Sequence, residues 1–354
     1  MYIVHISSVH NAQDPRIRHK QMQSILDRGW QVTLISGDRQ AAQSDPGLVI
    51  SITPGREHRV LRMALTAPRA IIRALTLNAD IYHIHDPELL PWALLLKLKG
   101  RPVVYDIHED YSASIRQKTY LPRFLRSIFA KAAGLAECLL AAQYHQVIAE
   151  TYYSRRFPKA QPILNYPILS RVAWGNAFAP YSKRLLYTGN LTEQRGALLL
   201  GRLAGARLDF TLVACGYCPA KVAKAMRSEA GSNKHALQII GLDRHVSFSE
   251  IMEHYQAGNW LAGLALFPDC EHYREKQLTK FFEYMAAGLP IVASNFIAWQ
   301  GLIQEQGLGL CVDAESPASV ADALDWLYEH PEQARTMGQK GRELVARTYN
   351  WERQ

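Results

Sequence analysis

Residues 271–294, EHYREKQLTKFFEYMAAGLPIVAS, concentrate the side chains whose types and spacing could do chemistry. Leu278, Phe281, Phe282 and Met285 recur at helical spacing. The pattern predicts a helix over residues 277–287, ended by Gly288, with Pro290 leading into a β-branched strand. A helix N-terminus presents free backbone N–H groups and the positive end of the helix dipole, both suited to a phosphate. Lys280 adds charge near that end. Glu275 precedes the helix, and Glu283 follows eight residues after it, where a carboxylate could hold the two hydroxyls of a ribose. The plain alternative for both glutamates is a solvated helix face with ordinary salt bridges.

Other groups carry weaker signals. His83 and His85 flank Ile84 at strand spacing, so both point the same way. With Asp86 and Glu88 they could form a metal site, or they could simply line the end of a strand. Asp106, Glu109 and Asp110 lie around His108 and either orient it or sit in solvent. Cys215-Gly-Tyr-Cys218 has the spacing of a redox or zinc half-site. No second cysteine pair or nearby histidine completes it, so a packed loop is expected. No Asp-x-Asp motif occurs, which argues against a diphosphate chelated through Mg²⁺ or Mn²⁺.

The elements that must position these groups alternate. Strands are expected at residues 2–6, 30–36, 81–85, 103–107 and 146–148, with helical spacing between them, as in residues 16–28. Around residues 161–180, Pro162, Pro167 and Pro180 with Asn165, Gly175 and Asn176 suit neither helix nor strand and predict an interdomain linker. A second series follows at 185–188, 209–214, 246–248, 262–267, 291–294 and 309–312. Strands alternating with helices argue for parallel sheets covered on both faces. The expected architecture is α/β: two doubly wound Rossmann-like domains, 1–165 and 183–348, joined by a linker at 166–182. Ligands in such sheets bind beyond the carboxyl ends of the strands, and here two such edges could face each other across a cleft.

Composition bounds the rest. The 354 residues are 48% hydrophobic and 20% charged, which excludes disorder as the main state. No apolar run approaches the ~20 residues of a membrane span. The N-terminus, MYIVHISS, lacks a secretory pattern, and five scattered cysteines fit a reduced compartment, so a cytosolic protein is expected. The net charge of +8 is unevenly placed. Residues 1–165 hold 21 Lys and Arg against 13 Asp and Glu, whereas residues 166–354 hold 19 of each. That bias favours an anionic partner of the first half. Residues 56–73, with Arg56, Arg59, Arg62, Arg69 and Arg73, and residues 121–134, with Arg123, Arg126 and Lys131, read as basic amphipathic segments. Such helices can lie on an anionic membrane surface, or serve as ordinary helices with basic outer faces. Nucleic acid is not expected as a partner, because no basic stripe interleaved with aromatics, zinc-finger spacing or RNA-binding signature occurs.

Glu275-x7-Glu283 within KFFEYMAAGLPIVAS resembles the signature of retaining glycosyltransferases of the GT-B fold, in particular the family 4 type. The resemblance runs through nearly the whole chain. DPRI at 14–17, ADIYHIHDPELLP, VVYDIHED, ILNYP, LLYTGNLTEQRG and the terminal YNWERQ occur in the family's order. The last resembles the start of a helix, from about residue 349, that packs back on the first domain.

The resemblance implies transfer of a sugar from a nucleotide diphosphate to an acceptor, with retention of configuration. It implies no metal or other cofactor, the nucleotide sugar being a co-substrate. Arg195 and Lys280, with Gln277 and Leu278 at the helix start, would hold the donor diphosphate. Glu283 would hold the ribose, and Glu275 the hydroxyls of the transferred sugar. His108 would face that sugar from the first domain, and His108 and Glu275 would be the catalytic residues, in positioning or electrostatic roles rather than as an acid/base pair. His10, Asp14, Arg16 and Asp86 are candidates for the acceptor side. Two departures stand out: Asn190 and Arg195 replace the family's usual Arg and Lys, and the first loop, SSVHNAQD, lacks the usual glycines. The basic first domain suggests a glycan or lipid-linked acceptor of surface polysaccharide synthesis, at the inner face of a membrane. A nucleotide-sugar epimerase of the same fold, or a non-catalytic sugar-nucleotide-binding subunit, are the alternatives.

Overall fold

The computed structural model describes residues 1–10, 12–37, 48–51, 61–108, 111–116, 122–171, 177–207 and 209–354. Arg56, Arg59, Glu109, Asp110, Gly175 and Asn176 lie outside the described residues. The chain divides into two units, Met1–Asn165 and Tyr166–Gln354.

In the first unit seven parallel strands line up in the order β3-β2-β1-β4-β5-β6-β7. They are β1 Tyr2–Ser7, β2 Gln31–Ser36, β3 Leu48–Ser51, β4 Ile81–Ile84, β5 Val103–Ile107, β6 His145–Ile148 and β7 Gln161–Pro162. Helix α1 opens as a π-helical stretch, Pro15–Met22, and continues as Gln23–Asp27. Asp14 starts it: its carboxylate accepts from the N–H groups of Arg16 at 2.9 Å and Ile17 at 3.0 Å, satisfying two donors that a helix start leaves free. The other helices are α2 Ala67–Leu75, α3 Leu90–Lys97, α4 Tyr111–Arg116 and α5 Arg123–Ala141.

The two faces of this sheet differ. Val4, Ile6, Tyr82, Ile84, Tyr105 and Ile107 bury one face against Ile71 of α2, Leu90 and Ala93 of α3, and Ala141 of α5. Alternation sends His5, His83, His85 and Asp106 to the opposite face. There Val32 and Leu34 pack on Ile17 and Met22 of α1.

The second unit holds six parallel strands in the order β10-β9-β8-β11-β12-β13. These are β8 Arg184–Thr188, β9 Thr211–Cys218, β10 Leu237–Leu242, β11 Ala262–Ala265, β12 Ile291–Ser294 and β13 Gly309–Val312. The helices are α6 Ala197–Ala206, α7 Ala220–Ala230, α8 Phe248–Ala257, α9 Thr279–Ala286, α10 Pro317–Glu329 and α11 Pro331–Arg347. The strand expected at residues 246–248 is not formed. Ser247 instead caps α8, its hydroxyl accepting from the Glu250 N–H at 3.2 Å, and β10, at the edge of the sheet beside β9, is the unit's third strand in chain order. Strand β9 runs past residue 214 and absorbs Cys215 and Cys218, both fully buried. Burial raises the Cys215 thiol to about 12 and the Cys218 thiol to about 11, so neither is a reactive thiolate.

The described parts of residues 166–182 are tied to the second unit. Phe178 bridges Trp260, the Ala177 N–H donates to Ala287 O at 3.0 Å, and the Tyr166 ring lies 4.6 Å from that of Phe282. The chain ends in a single turn, Trp351–Arg353, whose Trp351 N–H donates to Pro167 O at 2.8 Å. In each sheet the connections reverse direction at one place, between β1 and β4 and between β8 and β11. That reversal opens a crevice at the carboxyl ends of those strands.

Candidate active site

At the first switch point the loop after β1 is fastened to the one after β4 by two buried carboxylates. Asp86 accepts from the Ser7 hydroxyl at 2.9 Å and from the N–H groups of Ser8 at 2.7 Å and Val9 at 3.2 Å. His10 Nε2 lies 3.3 Å from its other oxygen. Glu88 accepts from the Ser8 hydroxyl at 2.5 Å and pairs with both arms of Arg62, at 2.7 and 3.0 Å. Asp86 and Glu88 thus shape the loop that carries His10. Burial alone would raise the Asp14 carboxyl, but the hydrogen bond and charge of His10 outweigh it and hold it at about 2.

Arg16, a candidate for the acceptor side, is turned inward. Its Nε and Nη2 donate to Asp106 at 3.0 and 2.9 Å, and Gln21 donates to the same carboxylate. Asp106 is buried, which would raise its pKa, yet the Arg16 charge and then His108 hold it well below the carboxylate range. His108 follows β5 and places Nε2 at 3.2 Å from Asp106. His85 Nδ1 lies 2.9 Å from that same His108 nitrogen, and His85 Nε2 lies 2.8 Å from His5 Nδ1. Sequence spacing found His83, His85 and His108. Asp106, expected either to orient His108 or to sit in solvent, is buried against it, whereas the roles of His5 and Gln21 were missed, although a histidine inside YIVHIS is a polar interruption of an apolar strand. Ring nitrogens of His5, His83 and His85, and donor atoms of His85, Asp106 and His108, fall within 4.8 Å of one another.

At the second switch point the loop after β8 carries Asn190 and Arg195. A short turn, Glu193–Arg195, is capped by Thr192, whose hydroxyl accepts from the Arg195 N–H at 3.2 Å. Gly196 follows with φ 82°, and a Cβ there would sit 1.7 Å from the carbonyl oxygen of Leu266, beyond β11. Only glycine lets the two chain segments approach this closely. Asn190 is exposed and Arg195 half-buried.

Helix α9 begins two residues later than expected. Gln277 lies before it, and Leu278 occupies the N-cap position without a side-chain cap, its carbonyl oxygen accepting from the Phe281 N–H at 3.0 Å. Gly288, at φ 72°, closes the other end. Lys280 is buried, its ammonium 3.4 Å from the Tyr187 ring centroid and 5.2 Å from that of Phe267, with no hydrogen-bond partner among the described residues. Burial, and then the charge of Arg195, push its pKa well below the usual lysine value against the opposing pull of Glu283. Glu283 accepts from the Tyr255 hydroxyl at 3.2 Å, and that hydroxyl meets Thr188 at 2.9 Å. Tyr255, invisible to motif reading, therefore aims the carboxylate. Glu275 is exposed in the loop before α9, which Trp299 braces by donating to Lys276 O at 2.9 Å. Lys280, Arg195 and Glu283 are thus brought together, while His108, His10, Asp14, Arg16 and Asp86 gather in the first unit.

Residues 21–186 match the family Glycosyltransferase Family 4, and residues 182–330 match Glycosyl transferases group 1. The chain is a family 4-type glycosyltransferase. This glycosyltransferase is similar to the D-rhamnosyltransferase WbpZ of Pseudomonas aeruginosa, at 23% identity over 75% of the chain and 68% of that protein. It is also similar to the phosphatidyl-myo-inositol mannosyltransferase of Mycobacterium leprae, at 24% identity over 77% and 70%. Its fold matches that of Anabaena Alr3699/HepE, solved in complex with UDP-glucose, with a TM-score of 0.72 at 13% identity over 100% of this chain and 96% of that one. The enzyme has the two-domain GT-B fold.

Proposed function

We propose that this glycosyltransferase moves a sugar, with retention of configuration, from a nucleoside diphosphate to a hydroxyl of a glycan or lipid-linked acceptor in surface polysaccharide synthesis. The observation that carries the reading is Lys280, a buried ammonium without an acceptor among the described residues, beside Arg195 and the start of α9, which has no side-chain cap. An unsatisfied buried cation is costly, and a diphosphate would satisfy it. As the bond from the anomeric carbon to the phosphate oxygen breaks, its electron pair goes to the leaving diphosphate. Fixed cations and helix N–H groups stabilise that growing charge, so no metal is required. The attacking hydroxyl forms the new bond on the same face and gives its proton to the leaving phosphate oxygen. Glu283 holds the ribose, Gln277 and Leu278 border the diphosphate, and Glu275 and His108 position the transferred sugar.

The names of the relatives bear on the acceptor: one is a phosphatidyl-myo-inositol mannosyltransferase. The first unit also carries an exposed apolar and basic layer. Ile72 on α2, Leu98 just after α3, and Ile128, Leu135 and Leu139 on α5 are 57 to 83% exposed. Arg69, Arg73, Lys97, Lys99 and Lys131 are exposed on the same helices or beside them. All three helices bury their inner sides in one core, so their outer sides form one layer. Apolar side chains among Arg and Lys suit an anionic membrane surface. No helix among the described residues is long and apolar enough to cross a membrane.

Melting temperature with UDP, GDP and ADP in turn, in the presence of EDTA, tests the donor site. A ligand at 100 times its Kd stabilises by about 2.7 kcal/mol. One nucleotide should raise the melting temperature, and Glu283→Ala should reduce the rise. No shift with any of the three would count against the reading.

A further inference from the structure

The polar face of the first sheet is a connected system. His5 and His83 are register partners on β1 and β4, with ring centroids 4.6 Å apart, and His85 stacks on both at 5.1 and 4.6 Å. Hydrogen bonds join His5 to His85 and His85 to His108, and Asp106 lies against the far end. Burial and then the neighbouring histidines hold His85 well below the usual imidazole value, and burial and then His83 do the same to His5. These rings are therefore neutral, each with one N–H, and the positions of the protons follow from the carboxylate. If His108 Nε2 carried no hydrogen, His85 Nδ1–H could still donate to it at 2.9 Å, but its lone pair would face the acceptor-only Asp106 oxygen at 3.2 Å. With the hydrogen there, His108 donates, His85 Nδ1 accepts, His85 Nε2–H donates to His5 Nδ1, and His5 keeps its hydrogen on Nε2. His108 Nδ1 makes no hydrogen bond among the described residues.

We infer that Asp106, held by Arg16 and Gln21 and backed by His85 and His5, fixes His108 in the Nε2–H tautomer, so that Nδ1 offers the reaction a lone pair and only accepts hydrogen bonds. Asp106, His85 and His5 are positioning residues for His108. The inference rests on the proposed reading in one respect, that His108 faces substrate. His108 then accepts from a hydroxyl of the transferred sugar or of the acceptor and does not donate to the leaving phosphate. The same imidazoles could instead gather round a divalent cation. The geometry speaks against it: ring nitrogens are engaged with each other at 2.8 and 2.9 Å, and the Asp106 charge is matched by Arg16.

Long-range proton–nitrogen NMR on the full chain labelled at histidine, at pH 8, reads the tautomer directly. His108 is assigned by the signal lost in His108→Gln. The expected pattern is a single Nε2–H tautomer in the free enzyme. A dominant Nδ1–H form, or averaging between the two, overturns the inference, as does zinc or manganese binding that shifts the His5, His83 and His85 signals together. Asp106→Asn offers an amide N–H in place of the oxygen and should move His108 to the Nδ1–H form, with kcat lower by about 10²-fold and nucleotide affinity unchanged. His5→Gln, which keeps Arg16 and Asp106 paired, should leave the His108 signal at Nε2–H but broaden it. An unchanged spectrum in Asp106→Asn overturns the inference. If the tautomer is as expected while His108→Gln retains full activity, the failure lies with the functional reading of His108 and not with its proton.

Discussion

The ammonium of Lys280 rests 3.4 Å from the centroid of the Tyr187 ring, with no oxygen among the described residues to accept from it. A cation over an aromatic face is attracted to it, but that attraction replaces only part of the hydration lost on burial. The residue is therefore a liability to the free protein and an asset to the complex. Lys280→Met should raise the stability of the nucleotide-free enzyme by about 1–3 kcal/mol and abolish the melting-temperature rise with nucleotide. Denaturant titration checks the first effect and thermal shift the second. A Met variant less stable than the parent would mean that Lys280 already has its partner.

The same lysine should couple donor binding to protons. Its pKa is depressed in the free site, chiefly by burial and then by Arg195. A bound diphosphate raises it again, so binding takes up a proton and affinity falls as pH rises above the free-site value. Between that value and the ordinary lysine value the unfolded chain binds more protons, so this group's contribution to folding stability rises with pH there. Titration calorimetry in buffers of different ionisation heat should show uptake that disappears in Lys280→Met. Binding heats that do not change with buffer would contradict the coupling.

Acid should weaken the first unit. Burial holds His83 at about 4, so between about 6.5 and 4 the unfolded chain binds a proton that the folded chain does not. Stability is lost through that window, by on the order of 2–3 kcal/mol for this group at its lower end. The depressed carboxyl of Asp106 acts below it. Its stabilisation is present above the ordinary carboxylate value and is lost as pH falls toward its folded value. His83→Phe should flatten the stability curve between pH 6.5 and 4. An unchanged slope would place the titration elsewhere.

Tyr255 and Glu283 should matter only to nucleotides that have ribose hydroxyls. Glu283→Ala is expected to weaken nucleoside diphosphate binding 10- to 100-fold, about 1.4–2.7 kcal/mol. Binding of the 2′,3′-dideoxy form should be left nearly unchanged. Tyr255→Phe, which removes the hydroxyl that aims Glu283, should do the same more weakly. Equal losses for both nucleotide forms would assign Glu283 to another part of the donor.

The exposed layer of the first unit gives a separate expectation. Ile128→Ser, Leu135→Ser and Leu139→Ser together remove large side chains that are 58, 63 and 64% exposed on α5. Sedimentation with anionic vesicles should fall while transfer to a soluble acceptor persists. Parent protein that ignores vesicles of every composition would remove the membrane from the proposal.

Local patterns carried much of this structure into view. Helix α9 was legible because apolar spacing, Gly288 and Pro290 mark its body and end, and the shared direction of His83 and His85 follows from strand alternation. What stayed hidden depends on register. His5 meets His83 only because β1 pairs with β4 across 78 residues of chain, and Asp106 meets Arg16 across 90. Strands β3 and β7 are edge strands that the sequence reading did not find, and β7, with two residues, is too short to carry a pattern. At 246–248 an apolar pair suggested a strand, but a serine cap and the β-branched run of β10 decided otherwise.

The contact at Gly196 limits how this enzyme can be redesigned. Because a Cβ there would strike the Leu266 carbonyl at 1.7 Å, random libraries that vary the whole loop after β8 will mostly yield misfolded clones. Diversity confined to exposed Asn190 and half-buried Gln277, with residue 196 left as glycine, spares that backbone approach while changing what borders the proposed donor site.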